Sequence, residues 1–67
     1  MERPPALTPR EIDVLCLIAS GKSNKEIATL LALSLRTVER HISNLYTKIG
    51  AQGKADATAW AIHHHLV

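Results

Sequence analysis

Apolar residues recur along this chain at helical spacing in four blocks, and polar caps mark where the blocks begin. In the first block Ile12, Val14, Leu15, Leu17, Ile18 and Ala19 cover most of a helix circumference, which predicts a central helix ended by Gly21. Thr8-Pro9-Arg10-Glu11 opens it as a capping box. The Thr8 hydroxyl accepts from the Glu11 backbone N–H, the Glu11 carboxylate reaches back, and Pro9 sits at the first helical position, where a missing N–H costs nothing. Ser23-Asn24-Lys25-Glu26 repeats the device and predicts a helix of about two turns that buries Ile27, Ala28 and Leu31. Ser34 is the next N-cap, for a third helix from Leu35 to about Ile49 that stops before Gly50. A fourth helix is predicted from about Lys54, after Gly53, to His65 or beyond. Residues 1–6, with Pro4 and Pro5 and no periodic pattern, are read as a linker, and residues 7–67 as one domain.

The second and third helices stand in a particular relation. From Ser23 to His41 the chain reads as two helices joined by a tight turn, the second beginning at a capping serine and exposing arginines. Ala28 is small where the two helices would cross, Ala32 lies in the turn and Val38 returns to the core, while Ile27, Leu31 and Leu33 fill the apolar slots around them. That is the layout of a helix-turn-helix, which lays its second helix in a DNA major groove. Ala32 occupies a turn position often given to glycine. The fold class expected is all-α, a four-helix bundle containing a helix-turn-helix.

Stepping about 100° per residue separates the faces of the third helix. Val38, Ile42, Leu45 and Ile49 form the core stripe. Arg36, Arg40, Ser43 and Thr47 lie opposite, with Asn44 beside them; Thr37, His41 and Lys48 flank one edge of the core stripe, Glu39 and Tyr46 the other. A plain solvated helix face carries similar groups, and the helix-turn-helix upstream is what favours a reading face. In the fourth helix Ala57, Trp60, Ala61 and His64 lie on one side and Ala55, Ala59, Ile62 and Leu66 almost opposite. One stripe packs on the domain. The other is either exposed or covered by a second copy, and dimerisation is the economical expectation because dimeric readers match two half-sites.

Composition limits what else the chain could do. Its 67 residues bury only about 60% of their unfolded surface and leave no room for a lidded catalytic cleft. The aromatics are Tyr46 and Trp60, so the core is built from Leu, Ile, Val and Ala, which suits helix packing better than a sheet. A net charge of +2 is compatible with nucleic-acid binding without demonstrating it, because the placement of charge matters more than its sum. The lone Cys16 excludes an internal disulfide and fits a reducing, cytoplasmic-type compartment. No apolar run approaches the roughly 20 residues of a membrane span, and the start is no signal peptide.

Enzymatic readings find little support. Cys16 lies within an apolar helix and reads as a small buried hydrophobe; His41 has no nucleophile or acid placed beside it. His63-His64-His65 invites a metal reading, but consecutive helical residues point about 100° apart and cannot chelate together. No metal, cofactor or small-molecule ligand is expected. The rival from another class is a protein-interaction or dimerisation module that kept a helix-turn-helix fold without DNA binding, motivated by Glu39 and the modest charge.

The run from Leu7 to Gly50 resembles the DNA-binding domain of the LuxR type, also called the GerE or NarL/FixJ type. The blocks that carry the likeness are Leu7 to Glu11, Val14-Leu15, Gly21 to Ala28, Ser34 to His41 and Lys48 to Gly50, in order and at fixed spacing. The resemblance implies four helices, duplex DNA as partner, a bacterial-type transcription regulator and a homodimer contact through the fourth helix. Carried over by position, it implies base contacts from Glu39, Arg40 and Ser43. Backbone contacts are implied for Asn24, Lys25, Arg36, Thr37, His41, Lys48 and Lys54, and a dimer face for Ala55, Ala59, Ile62 and Leu66. Two positions depart from the pattern: Glu39 stands where many members have lysine, and Lys54 where arginine is usual. Glu39 is expected to orient Arg36 or Arg40; the alternatives are acceptance from cytosine N4 and plain repulsion of phosphate.

Overall fold

The computed structural model describes residues 7–66 and contains helices α1 (Pro9–Ala19), α2 (Asn24–Leu31), α3 (Leu35–Ile49) and α4 (Lys54–His63), with no strand among the described residues. The expected linker, residues 1–6, lies outside the described residues, as does Val67.

Both capping boxes form. The Glu11 N–H donates to the Thr8 hydroxyl at 3.1 Å while the Thr8 N–H donates to Glu11 Oε1 at 2.9 Å. Ser23 and Glu26 make the same reciprocal pair at 3.1 and 2.8 Å. Ser34 caps α3 by accepting from the Thr37 N–H at 3.1 Å. For α4 the Asp56 carboxylate accepts from the Gln52 N–H at 3.0 Å, one residue ahead of the N-cap Gly53. The starts of α1, α2 and α3 therefore satisfy backbone donors that the helix itself leaves open, whereas α4 starts at Gly53 without a side-chain cap.

The helix ends explain two departures from the sequence pattern. Ala32 closes α2 in the left-handed region at φ 56°, and the Leu33 N–H donates to the Ala28 carbonyl at 2.9 Å. A side chain there is strained, since Cβ crowds the following carbonyl, so the turn of the helix-turn-helix is held by the packing on either side. At the end of α4, His65 adopts φ 59° and the Leu66 N–H donates back to the Ala61 carbonyl at 2.9 Å. The helix thus stops at His63 rather than running to His65 or beyond. Leu66 does not continue the outer stripe with Ala55, Ala59 and Ile62; the reversal turns it inward onto the core.

α1 is central, as its apolar circumference requires, packing on α4 and α3, while α2 packs mainly on α3. Val14, Leu15 and Ile18 of α1 meet Ile27 and Ala28 of α2, Val38 and Leu45 of α3, and Ala57 and Ala61 of α4 in one buried cluster. The three alanines let helices approach closely where a larger side chain would hold them apart. Ile42, Ile49 and Tyr46 are half-buried against this cluster, so Tyr46 joins the core edge of α3. Leu31 is likewise half-buried rather than buried.

Candidate nucleic-acid interface

The outer face of α3 carries the groups the sequence placed there. Arg36, Glu39, Arg40, Ser43, Asn44 and Thr47 are exposed, and Thr37 and His41 are half-buried at the margin. Val38 and Leu45, fully buried on the opposite side, fix which way this face points. The first turn of α3 holds no acid, so its positive dipole end is left open to an anion. Thr37 is pre-positioned there, its Oγ1 accepting from the Ser34 hydroxyl at 2.8 Å.

Glu39 makes no ion pair with Arg36 or Arg40. The ion pairs among the described residues are Arg10–Asp13 at 3.8 Å and Lys48–Glu11 at 2.8 Å. In the free domain both guanidinium groups and the Glu39 carboxylate face solvent separately.

Tertiary structure gathers the remaining cations in two unlike ways. Glu26, at the start of α2, has its carboxyl held below the usual carboxylate range first by the Ser23 N–H, then by the Ser23 hydroxyl, and further by the charges of Lys22 and Lys54. Lys54 opens α4, so the start of α4 lies electrostatically within reach of the start of α2. Lys22 and Lys25 line one shallow groove with Glu26, Thr29 and Leu30, beside the helix-turn-helix. Lys22, which the sequence pattern leaves unassigned, stands one residue ahead of the N-cap Ser23.

Lys48 behaves differently. Its ammonium donates to Glu11 Oε1 at 2.8 Å, and the Glu11 side chain is only 4% exposed. Burial pushes the Glu11 carboxyl up, but the Lys48 hydrogen bond, the Thr8 N–H and the Lys48 charge outweigh it and hold the group below its ordinary value. Lys48 is also about 12 Å along the helix axis from Arg40, at 1.5 Å per residue. Its charge is compensated inside the domain by the Glu11 carboxylate. Asn24 occupies the first position of α2 with its Oδ1 buried and unbonded among the described residues.

On α4 the outer stripe consists of Ala55, Ala59 and Ile62, the last 58% exposed. It borders a shallow depression lined by Ile49, Gly50, Ala51, Asp56, Ala59, Trp60 and His63. Trp60 is half-buried and stacks on His64, ring centroids 3.9 Å apart, so His64 covers Trp60 at the surface instead of entering the core. His63 meets His64 edge-on, and among the described residues no three His, Cys, Asp or Glu side chains converge in a way that could hold a metal ion. The Cys16 thiol donates to the Leu66 carbonyl at 3.5 Å; burial, with the charge of Asp13 second, pushes it up, away from a reactive thiolate. Among the described residues no helix is long and apolar enough to cross a membrane.

Comparison with known proteins agrees with this geometry. Residues 5–61 match the family described as bacterial regulatory proteins, luxR family. The chain is 44% identical over 62 residues to the transcriptional regulatory protein LiaR of Bacillus subtilis, covering 92% of this chain and 29% of that protein. It is 41% identical over 61 residues to the response regulator protein VraR of Staphylococcus aureus, covering 91% of this chain and 29% of that protein. The chain thus spans less than a third of the length of these relatives. With the family matching nearly all of the four-helix domain, turn and recognition helix included, this chain belongs to the luxR family of bacterial regulatory proteins.

Proposed function

We propose that this domain binds duplex DNA sequence-specifically, with α3 in the major groove, as the DNA-binding part of a bacterial transcription regulator acting in the cytoplasm. The observation that carries the reading is the exposed Arg36–Arg40–Ser43 face on α3 together with the open N-terminal end of that helix, with Lys25 and Lys54 exposed elsewhere on the domain. Groups at the groove centre read bases; groups at its margins hold phosphates. Arg40, Glu39 and Ser43 are the base readers, and Arg40 suits guanine O6 and N7 through its planar fork. Lys25, Lys54, Arg36, Thr37, His41 and the Asn24 amide hold the backbone. Lys48 is left out of this clamp, because its charge already answers Glu11. Ala55, Ala59 and Ile62 form the contact with a second copy on paired half-sites.

The test is the salt dependence of binding to duplex DNA, measured by mobility shift or anisotropy. Three neutralised phosphates per domain correspond to a slope of about −3 in log K against log salt, at about −0.9 per phosphate. Affinity that does not change with salt would instead leave a protein-interaction module as the reading.

A further inference from the structure

Among the described residues, the carboxylates other than Glu39 each have a local task. Glu11, Glu26 and Asp56 accept backbone N–H groups at helix starts, Glu11 also meets Lys48, and Asp13 pairs with Arg10. Glu39 does none of this. It is exposed on α3 between Arg36 and Arg40, without a hydrogen bond or ion pair among the described residues. An unsatisfied acid on a face that must enter a groove walled by phosphates weakens binding unless the groove supplies a donor.

We infer that Glu39 is a specificity-determining residue that selects cytosine, within about two base pairs of a guanine read by Arg40. The inference rests on the DNA-binding reading above and deepens it. An ionised carboxylate only accepts hydrogen bonds. In the major groove guanine offers N7 and O6 and thymine offers O4 and a methyl group, so neither has a donor for it; the donors are cytosine N4 and adenine N6. Adenine sets its N7 acceptor beside the amino group, against the second carboxylate oxygen, whereas cytosine has a C–H there. Cytosine is therefore the matching base. Glu39 and Arg40 are consecutive on α3, about 1.5 Å apart along its axis and about 100° apart around it, so two side chains from one turn address different base pairs that are close neighbours. The free carboxylate also acts against wrong sites, since over guanine or thymine it meets an acceptor and is repelled.

The experiment is selection of bound sites from randomised duplex DNA with the parent domain, Glu39→Gln and Arg40→Ala, followed by affinities on single-base variants of the chosen site. The parent is expected to select cytosine at one position beside a guanine, with replacement of that cytosine by thymine or guanine costing about 5- to 150-fold. Glu39→Gln is expected to lose that discrimination and favour adenine there, because a side-chain amide pairs with adenine N6 and N7, while other positions keep their ranking. Arg40→Ala is expected to relax the neighbouring guanine and leave the cytosine preference in place. If Glu39→Gln binds every site more tightly with the ranking unchanged, the carboxylate is merely repulsive and the inference falls. If it weakens all sites equally, the acid positions the helix and the inference falls likewise. A parent that binds with steep salt dependence but shows no cytosine preference overturns this inference alone; a parent without salt-dependent binding overturns the DNA-binding reading with it. Circular dichroism of Glu39→Gln reads folding separately, and parental helicity is expected for a substitution at an exposed position.

Discussion

A single oxygen, Glu11 Oε1, accepts both the Thr8 N–H at 2.9 Å and the Lys48 ammonium at 2.8 Å, tying the start of α1 to the end of α3. The Glu11 side chain is buried and that of Lys48 is 32% exposed, so the carboxylate is not easily left alone. Lys48→Ala strands the acid in the core. Its expected cost is about 2–3 kcal/mol, at the low end for a broken buried pair because Lys48 keeps some solvent contact. Thermal unfolding followed by circular dichroism should show a drop of roughly 8–24 °C.

The same pair sets a pH dependence with a definite sign. Glu11 is held below its ordinary value of 4.5 in the folded state, so the unfolded chain binds its proton more readily. Its contribution is fully present above about 4.5 and is lost as pH falls through the lower native value. Glu11→Gln is expected to be less stable at neutral pH and to lose less further stability on acidification than the parent. Denaturant midpoints between pH 7 and 3 measure this, and parallel curves for the two proteins would contradict it.

Ala32→Gly should stabilise the domain. At φ 56° the alanine bears a steric cost that glycine avoids, partly offset by the greater freedom of glycine in the unfolded chain. The expected net gain is about 0.5–1 kcal/mol, read as a higher urea midpoint with an unchanged slope.

Lys25 and Lys54 on one hand and Arg40 on the other should fail in different ways. Lys25→Ala or Lys54→Ala is expected to weaken binding about equally across sequences and to reduce the salt slope by about 1 each. Arg40→Ala is expected instead to cost about 1–3 kcal/mol at one base pair and to relax choice there. Affinities on a selected site and a scrambled duplex at several salt concentrations separate the two, and a change of preferred sequence in Lys25→Ala would reassign that lysine.

Ile62→Glu and Leu66→Ala should also diverge. Ile62 is 58% exposed on the outer stripe of α4, so the charge is expected to abolish self-association on paired half-sites while helicity stays near parental. Leu66 is turned inward, and its truncation is expected to cost about 1–2 kcal/mol of domain stability without touching association, less than a full core deletion because it is half-buried. Sedimentation with and without DNA, alongside thermal unfolding, distinguishes them.

The sequence by itself determined the helices, their starts and the composition of the outer face of α3. Those follow from local rules: Thr8 and Glu11, or Ser23 and Glu26, lie three residues apart and find each other in any chain that begins a helix there. The 100° step likewise sends Val38 inward and Arg36 and Arg40 outward once one side of α3 is covered. What tertiary structure decided were contacts between residues far apart in the chain. Lys48 meets a buried carboxylate that α1 supplies from 37 residues away. Leu66 left the outer stripe because the chain reversed at His65 to cover the core. Periodicity fixes the direction of a side chain about its own helix axis, whereas a partner across the domain depends on how the helices cross, and only burial of the shared core sets that.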